Sequence, residues 1–128
     1  MGENLLGTHT LIWFINGDTE LSKKARELIE DDNSINFISI ASLWEIAIKV
    51  SLGKLQLNTS FEEINRQIEI NGFQWLPITS DHTLILSKLP FHHRDPFDRM
   101  IIAQSIANNL TSISRDSNFK NYEINILW

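Results

Sequence analysis

Phe91-His92-His93-Arg94-Asp95-Pro96-Phe97-Asp98-Arg99 runs directly into Met100-Ile101-Ile102-Ala103, and its register decides how the chain folds. Asp95 followed by Pro96 is a strong helix start: a carboxylate at the N-cap, then the one residue with no first-turn N–H to satisfy. Asp98 falls in the first turn of a helix expected over Pro96 to Asn109. That helix is apolar on nearly every side, and such helices are buried. His92, His93, Arg94 and Arg99 crowd potential positive charge at its mouth. A carboxylate so placed suits either a helix cap or a metal–phosphate site.

Upstream, strand and helix signals alternate. Asn4-Leu5-Leu6-Gly7 reads as a strand and Thr8 to Ile15 as a helix closed by Asn16-Gly17. Ser22 to Glu30 is amphipathic, with Ala25, Leu28 and Ile29 on one side. Ile35 to Ser39, β-branched and aromatic, is a strand, and the helix after it ends at Leu52 with Gly53 as C-cap. Ser60 and Glu63 form a capping-box pattern opening a helix whose core face is Phe61, Ile64 and Ile68 and whose end is Asn71-Gly72. Phe73 to Thr79 reads as a strand that Pro77 places at an edge, and Asp81 to Leu89 as a helix stopped by Pro90. Thr111 to Ser114 and Ile124 to Trp128 are the last strands, around a loop carrying Asp116. This alternation predicts an α/β fold with a mostly parallel sheet covered on both faces.

The 128 residues are expected to form a single domain over 1–128, burying roughly two-thirds of the unfolded surface. Without cysteine there is neither a disulfide nor a thiolate metal site, which fits a reducing, cytoplasmic setting. No apolar run approaches a membrane span, and no basic-then-apolar start marks a signal peptide. A net charge of −5 gives no global footprint for nucleic acid, so binding of that kind must rest on a local patch.

In open α/β sheets sites form beyond the carboxyl ends of the strands, and three acids fall there. Glu45 lies in the first turns of the helix after the second strand, Asp98 begins the buried helix, and Asp116 follows the Thr111–Ser114 strand. Clustered carboxylates without cysteine suit a hard cation, Mg²⁺ or Mn²⁺ rather than Zn²⁺. Each acid also has a structural reading. Ser42 with Glu45 is a capping-box pattern, and Glu45 with Lys49 a helical ion pair. Asp98 is the third position of a cap begun by Asp95, and Asp116 starts a turn through Ser117 and Asn118. Their shared rim favours the metal reading.

Leu5 through Trp13, Ser42-Leu43-Trp44-Glu45-Ile46-Ala47-Ile48-Lys49, His92 through Ala103 and Ser114-Arg115-Asp116 resemble the PIN-domain family. The likeness is strongest to VapC-like toxin ribonucleases of toxin–antitoxin pairs, and it runs from about residue 4 to Trp128. The resemblance implies a three-layer α/β/α fold with a mostly parallel sheet of about five strands. It also implies a Mg²⁺-dependent endoribonuclease, a cognate antitoxin and a homodimer. The family's second, third and fourth acids fall on Glu45, Asp98 and Asp116. The first, an aspartate ending the first strand, falls on Gly7, which has no side chain to offer a metal. Glu3 lies four residues up the strand, about 13 Å away at ~3.3 Å per residue, and Asp18 is a whole helix away. Thr8 offers a hydroxyl for a metal-bound water but no charge. Gly7 also reads as a flexible strand-to-helix turn. An enzyme impaired at Gly7 and a degenerate PIN domain that binds antitoxin or RNA without cutting are therefore both open. A phosphoacceptor receiver domain would need acids after the first strand and an aspartate at a middle strand end. Gly7-Thr8-His9 and Ile35–Ser39 supply neither.

Thr8, Arg94, Arg99 and Arg115, with Lys49 and Lys54, are candidates for phosphate or RNA contacts at the rim, against the reading of solvated surface charge. His92 and His93 adjoin the acids but show no metal-binding spacing, so loop packing is the expectation for both, and likewise for His9. Trp13 and Trp44 suit base stacking or a partner's helix, although aromatics at helical spacing are more often core.

Overall fold

In the computed structural model, which describes residues 2–55 and 57–128, the strands are β1 (Gly2–Leu6), β2 (Ser34–Ser39), β3 (Gln74–Leu76), β4 (Thr111–Ile113) and β5 (Asn125–Leu127). All four strand pairings are parallel and the order is β3-β2-β1-β4-β5. From β1 the chain builds outward to β2 and β3, then returns to place β4 and β5 on the other side. The order reverses between β1 and β4, and that is where a crevice opens at the strands' carboxyl ends.

The helices are α1 (Thr8–Asn16), α2 (Lys23–Glu30), α3 (Ile40–Ser51), α4 (Phe61–Ile70), α5 (Ser80–Ser87) and α6 (Pro96–Asn108), with a 3₁₀ turn at Ser117–Asn121. Strand period two splits the core into two layers. Leu6, Ile38 and Ile113 pack with α1, α2 and α4 through Leu11, Ile29, Ile64 and Ile68. Leu5 packs on the opposite side with Ile101 and Ile102 of α6, Leu76, Leu89 and Phe119. This is the expected three-layer α/β/α arrangement. None of the described helices is long and apolar enough to cross a membrane.

Local chemistry explains most element ends. Ser22 caps α2 by accepting from the Ala25 N–H at 3.0 Å, and Gly17, at φ 64°, closes α1 in the left-handed conformation. Several expectations need correction. Ser42 is no cap: Ser39 caps α3 by accepting from Ala41 N–H, because the chain turns at the end of the β-branched run. The C-cap of α3 is Leu52, and Gly53 takes φ 69° just beyond it. Ser60 accepts from Glu63 N–H, but the Glu63 carboxylate turns to Arg66 and Gln67 and leaves the box half made. The full capping box belongs to Thr79 and His82, which start α5 at Ser80. The edge strand β3 is only Gln74–Leu76, ending where Pro77 removes a donor. Finally, α6 is buried but not purely apolar. Arg99, Gln104 and Ser105 are also inside, and Ser105 pairs with Ser112 Oγ at 2.7 Å.

Candidate metal centre

Asp95 does the capping at α6. Its Oδ1 accepts from the Phe97 N–H at 2.9 Å and the Asp98 N–H at 3.0 Å, so the Asp98 side chain is left free to turn into the crevice. There Asp98 Oδ2 lies 3.0 Å from His93 Nε2, and Asp116 Oδ2 lies 2.8 Å from the same nitrogen. One ligating atom from each of His93, Asp98 and Asp116 falls within 4.8 Å of the others. Asp116 also starts the turn expected of it, since its Oδ1 accepts from Asn118 N–H at 2.9 Å and caps the 3₁₀ turn.

Glu45 approaches as a buried carboxylate that is already engaged. Its Oε1 accepts from Thr8 Oγ1 at 2.7 Å and its Oε2 from Lys49 Nζ at 2.6 Å. The hydrogen bond to Glu45, then its charge and those of Asp95 and Asp98, hold the Lys49 ammonium above its ordinary pKa against the opposing effect of burial. Asp98 sits among these acids with its pKa pushed up to about 7. Burial is the largest cause, followed by the charge of Asp95. His93 opposes the shift, while Glu45 and Asp116 add to it.

A raised carboxyl pKa means that protonation favours the folded state. That contribution is complete below the unfolded value near 3.8 and is lost as the pH climbs through about 7. Asp98→Asn, which mimics the protonated form, is therefore expected to stabilise the metal-free protein at about pH 8 by roughly 1–2 kcal/mol, or a few degrees in Tm, and by little at about pH 4. Thermal melts at the two pH values check this, and an equal shift at both would contradict it.

His93, for which loop packing was the expectation, stands in the cluster. Its Nδ1 accepts from the Asp95 N–H at 3.1 Å, so the ring proton sits on Nε2 and points between the two carboxylates. Its backbone N–H donates to Tyr122 Oη at 2.9 Å, and the ring edge meets Phe119 at 6.0 Å. No ligand spacing announces it; the signal is only its place two residues before the capping aspartate.

Gly7 closes β1 and caps α1 at φ −66°, ψ 162°, ordinary extended backbone, so the flexible-turn reading fails. A Cβ here would meet Ile113 O at 3.4 Å, Thr10 Oγ1 at 3.6 Å and Ser114 Cβ at 3.8 Å, all ordinary contacts. The cleft, about 230 Å³, is lined by Gly7, Thr8, Asp98 and Asp116 together.

The cations divide. Arg99 is 5% exposed and not a rim residue: it donates to the carbonyls of Leu86, Leu89, Pro90 and His93 and lies over the Phe91 ring. Arg94 and Lys54 are exposed. Arg115 lines the cleft, paired with Glu20 and stacked 4.5 Å from the Trp13 ring. Trp13 is half-buried against Trp128, whereas Trp44 is 59% exposed, edge-on to Phe97, and so is not core. His92 stands beside the Tyr122 ring and His9 beside Trp13.

Carboxylates gathered at the switch point of a parallel sheet define the class: an α/β protein with an acidic crevice of the kind that holds a hard divalent cation. The PIN domain family model matches residues 5–125, and the chain belongs to that family. Among solved structures it is similar to VapBC2 from Rickettsia felis bound to a DNA fragment from its promoter, at 20% identity and TM-score 0.73 over 98% of each chain. A toxin–antitoxin complex from Klebsiella pneumoniae matches at 18% identity and TM-score 0.67, over 98% of this chain and 96% of that one. FitAcB from Neisseria gonorrhoeae matches at 17% identity and TM-score 0.66, over 97% and 96%. At such identities the likeness establishes the fold. No curated protein matches.

Proposed function

We propose that the chain is a Mg²⁺- or Mn²⁺-dependent endoribonuclease of the toxin–antitoxin type, with a cation site weakened at residue 7. The observation that carries this reading is the convergence of His93, Asp98 and Asp116 beside Gly7 at the switch point. The donor set fits: Mg²⁺ keeps several waters and is held through one or two carboxylates, and Asp98 and Asp116 present two. Burial first, and then the charge of Asp95, disfavour the ionised form of Asp98, and a dication beside it would restore that form. A bound cation would polarise a phosphodiester and supply activated water.

In this reading Asp98 and Asp116 would hold the cation, with Asp98 in its ionised form. Glu45, held by Thr8 and Lys49 outside the His93–Asp98–Asp116 cluster, would serve as the third acid by orienting water. Arg94 and Arg115 meet phosphate at the rim. The complexes among similar structures support a cognate antitoxin as partner; a homodimer, an RNA substrate and a cytoplasmic location complete the proposal.

A second reading has a specific observation in its favour. With the His93 Nε2–H already between the carboxylates and no side chain at Gly7, the site holds its own hydrogen-bond donor where a cation would sit. On that reading the chain is a non-catalytic module binding antitoxin or RNA. Titration of Mn²⁺ into the protein by calorimetry separates the two. The nuclease reading predicts one stoichiometric site, tightening up to tenfold per unit as the pH rises from about 6 to about 7 and levelling off above, because Asp98 must deprotonate. Absence of a metal site in the native chain and in Gly7→Asp would favour the binding module.

A further inference from the structure

Ser114 and Arg115 line two depressions at once. One is the cleft holding Asp98 and Asp116; the other is a groove of about 640 Å³ along the β5 end of the sheet. The second groove contains Lys24 from α2, Lys120 from the 3₁₀ turn and Arg115, with no Asp or Glu in its lining. On a chain of net charge −5 this is a local reversal of sign. Lys24 and Lys120 are exposed, and among the described residues neither lies within salt-bridge distance of an acid. Arg115 has Glu20 as its partner, and that pairing holds the guanidinium over Trp13 between the two depressions. The floor is apolar and aromatic: Ile124, Ile126 and Trp128, whose ring meets Trp13 edge-on at 5.8 Å.

We propose that this groove is the track of a single-stranded RNA running off the carboxylate cluster, with phosphates against Lys24 and Lys120 and a base against Trp128. The proposal rests on the nuclease reading for its substrate and extends it to residues that reading does not use. Unpaired cations above an aromatic floor are what an extended strand requires: cations track the backbone while any base can stack on an indole face. A duplex hides its bases and gains only the charge. A protein segment is the other occupant such a groove admits, but the absence of Asp and Glu from the lining and the Ser114-Arg115 wall shared with the cleft both favour a polyanion that must reach Asp98 and Asp116.

The test is binding of a short fluorescein-labelled single-stranded RNA to the full chain in EDTA, where no metal-dependent cleavage intervenes. Lys24→Glu with Lys120→Glu is expected to weaken binding roughly tenfold or more and to reduce the slope of log K against log salt by about 1.4, at ~0.7 for each phosphate no longer neutralised. The paired arginine substitutions restore both. Trp128→Leu, which keeps apolar volume beside Trp13, is expected to weaken single-strand binding at least about fivefold while leaving duplex binding unchanged. Unchanged affinity and salt slope in the Lys24→Glu/Lys120→Glu variant would overturn the proposal and leave a protein partner as occupant. The two readings fail separately. Cleavage by Gly7→Asp with no effect of the lysines on binding defeats only the track, whereas loss of binding in a chain that never cuts supports the track without the nuclease.

Discussion

Gly7→Asp is expected to raise divalent-cation affinity on the order of a thousandfold. The backbone at residue 7 already has φ −66°, and a Cβ there meets its neighbours at 3.4 Å or more, so the substitution carries no conformational strain. The new carboxylate enters the cleft that holds Asp98 and Asp116. A charge about 4 Å from another contributes ~4 kcal/mol at an effective dielectric near 20, and a dication gains at least that. The same charge works against the metal-free fold, because Asp98 already has its pKa raised to about 7 by burial and neighbouring acids. The variant should therefore melt below the native chain in EDTA and above it in millimolar Mn²⁺. Melts that respond identically to Mn²⁺ in the two proteins would mean that residue 7 does not face the cation.

The second large effect is on stability. Arg99→Ala removes a buried guanidinium that donates to Pro90 O at 2.9 Å, Leu89 O at 3.1 Å, His93 O at 3.3 Å and Leu86 O at 3.4 Å. Those carbonyls terminate α5 and shape the segment that carries His93. Leaving them unpartnered should cost about 3–4 kcal/mol, measured as a shift in the urea midpoint. Arg99→Lys recovers the charge but not the fork, and so restores only part of it. A loss below about 1 kcal/mol would contradict the anchoring role.

Much of this was legible before the fold was known, because the signals are local. Asp95-Pro96 marks the start of α6 from backbone chemistry alone, Asn16-Gly17 marks the end of α1, and the run Ile35–Ser39 announces β2 up to its last residue. The element ends that shifted involve competing local partners. Ser42 read as the cap of α3, but the strand pairing ends at Ser39, and Ser39 takes that place. The Glu63 carboxylate had Arg66 within reach and chose it over the helix end.

The site was legible as far as its carboxylates lie near strand ends. His93 was not, because the bond that orients its ring comes from a backbone N–H two residues away and its partners come from α6 and the loop after β4. The same holds for the misread cation Arg99, whose charge suggested a rim but whose carbonyl partners draw it inside. Lys24, Lys120 and Trp128 carry no motif at all. They meet only because β5 returns beside β4, which brings the end of the described chain next to α2.

The most direct measurement is cleavage of a mixed single-stranded RNA in Mg²⁺ by Gly7→Asp, with and without Asp98→Asn in the same chain. The expected result is cleavage by Gly7→Asp that EDTA stops and that the added Asp98→Asn abolishes. Undiminished cleavage with Asp98 replaced, or no cleavage by a Gly7→Asp chain that binds the metal, would contradict it.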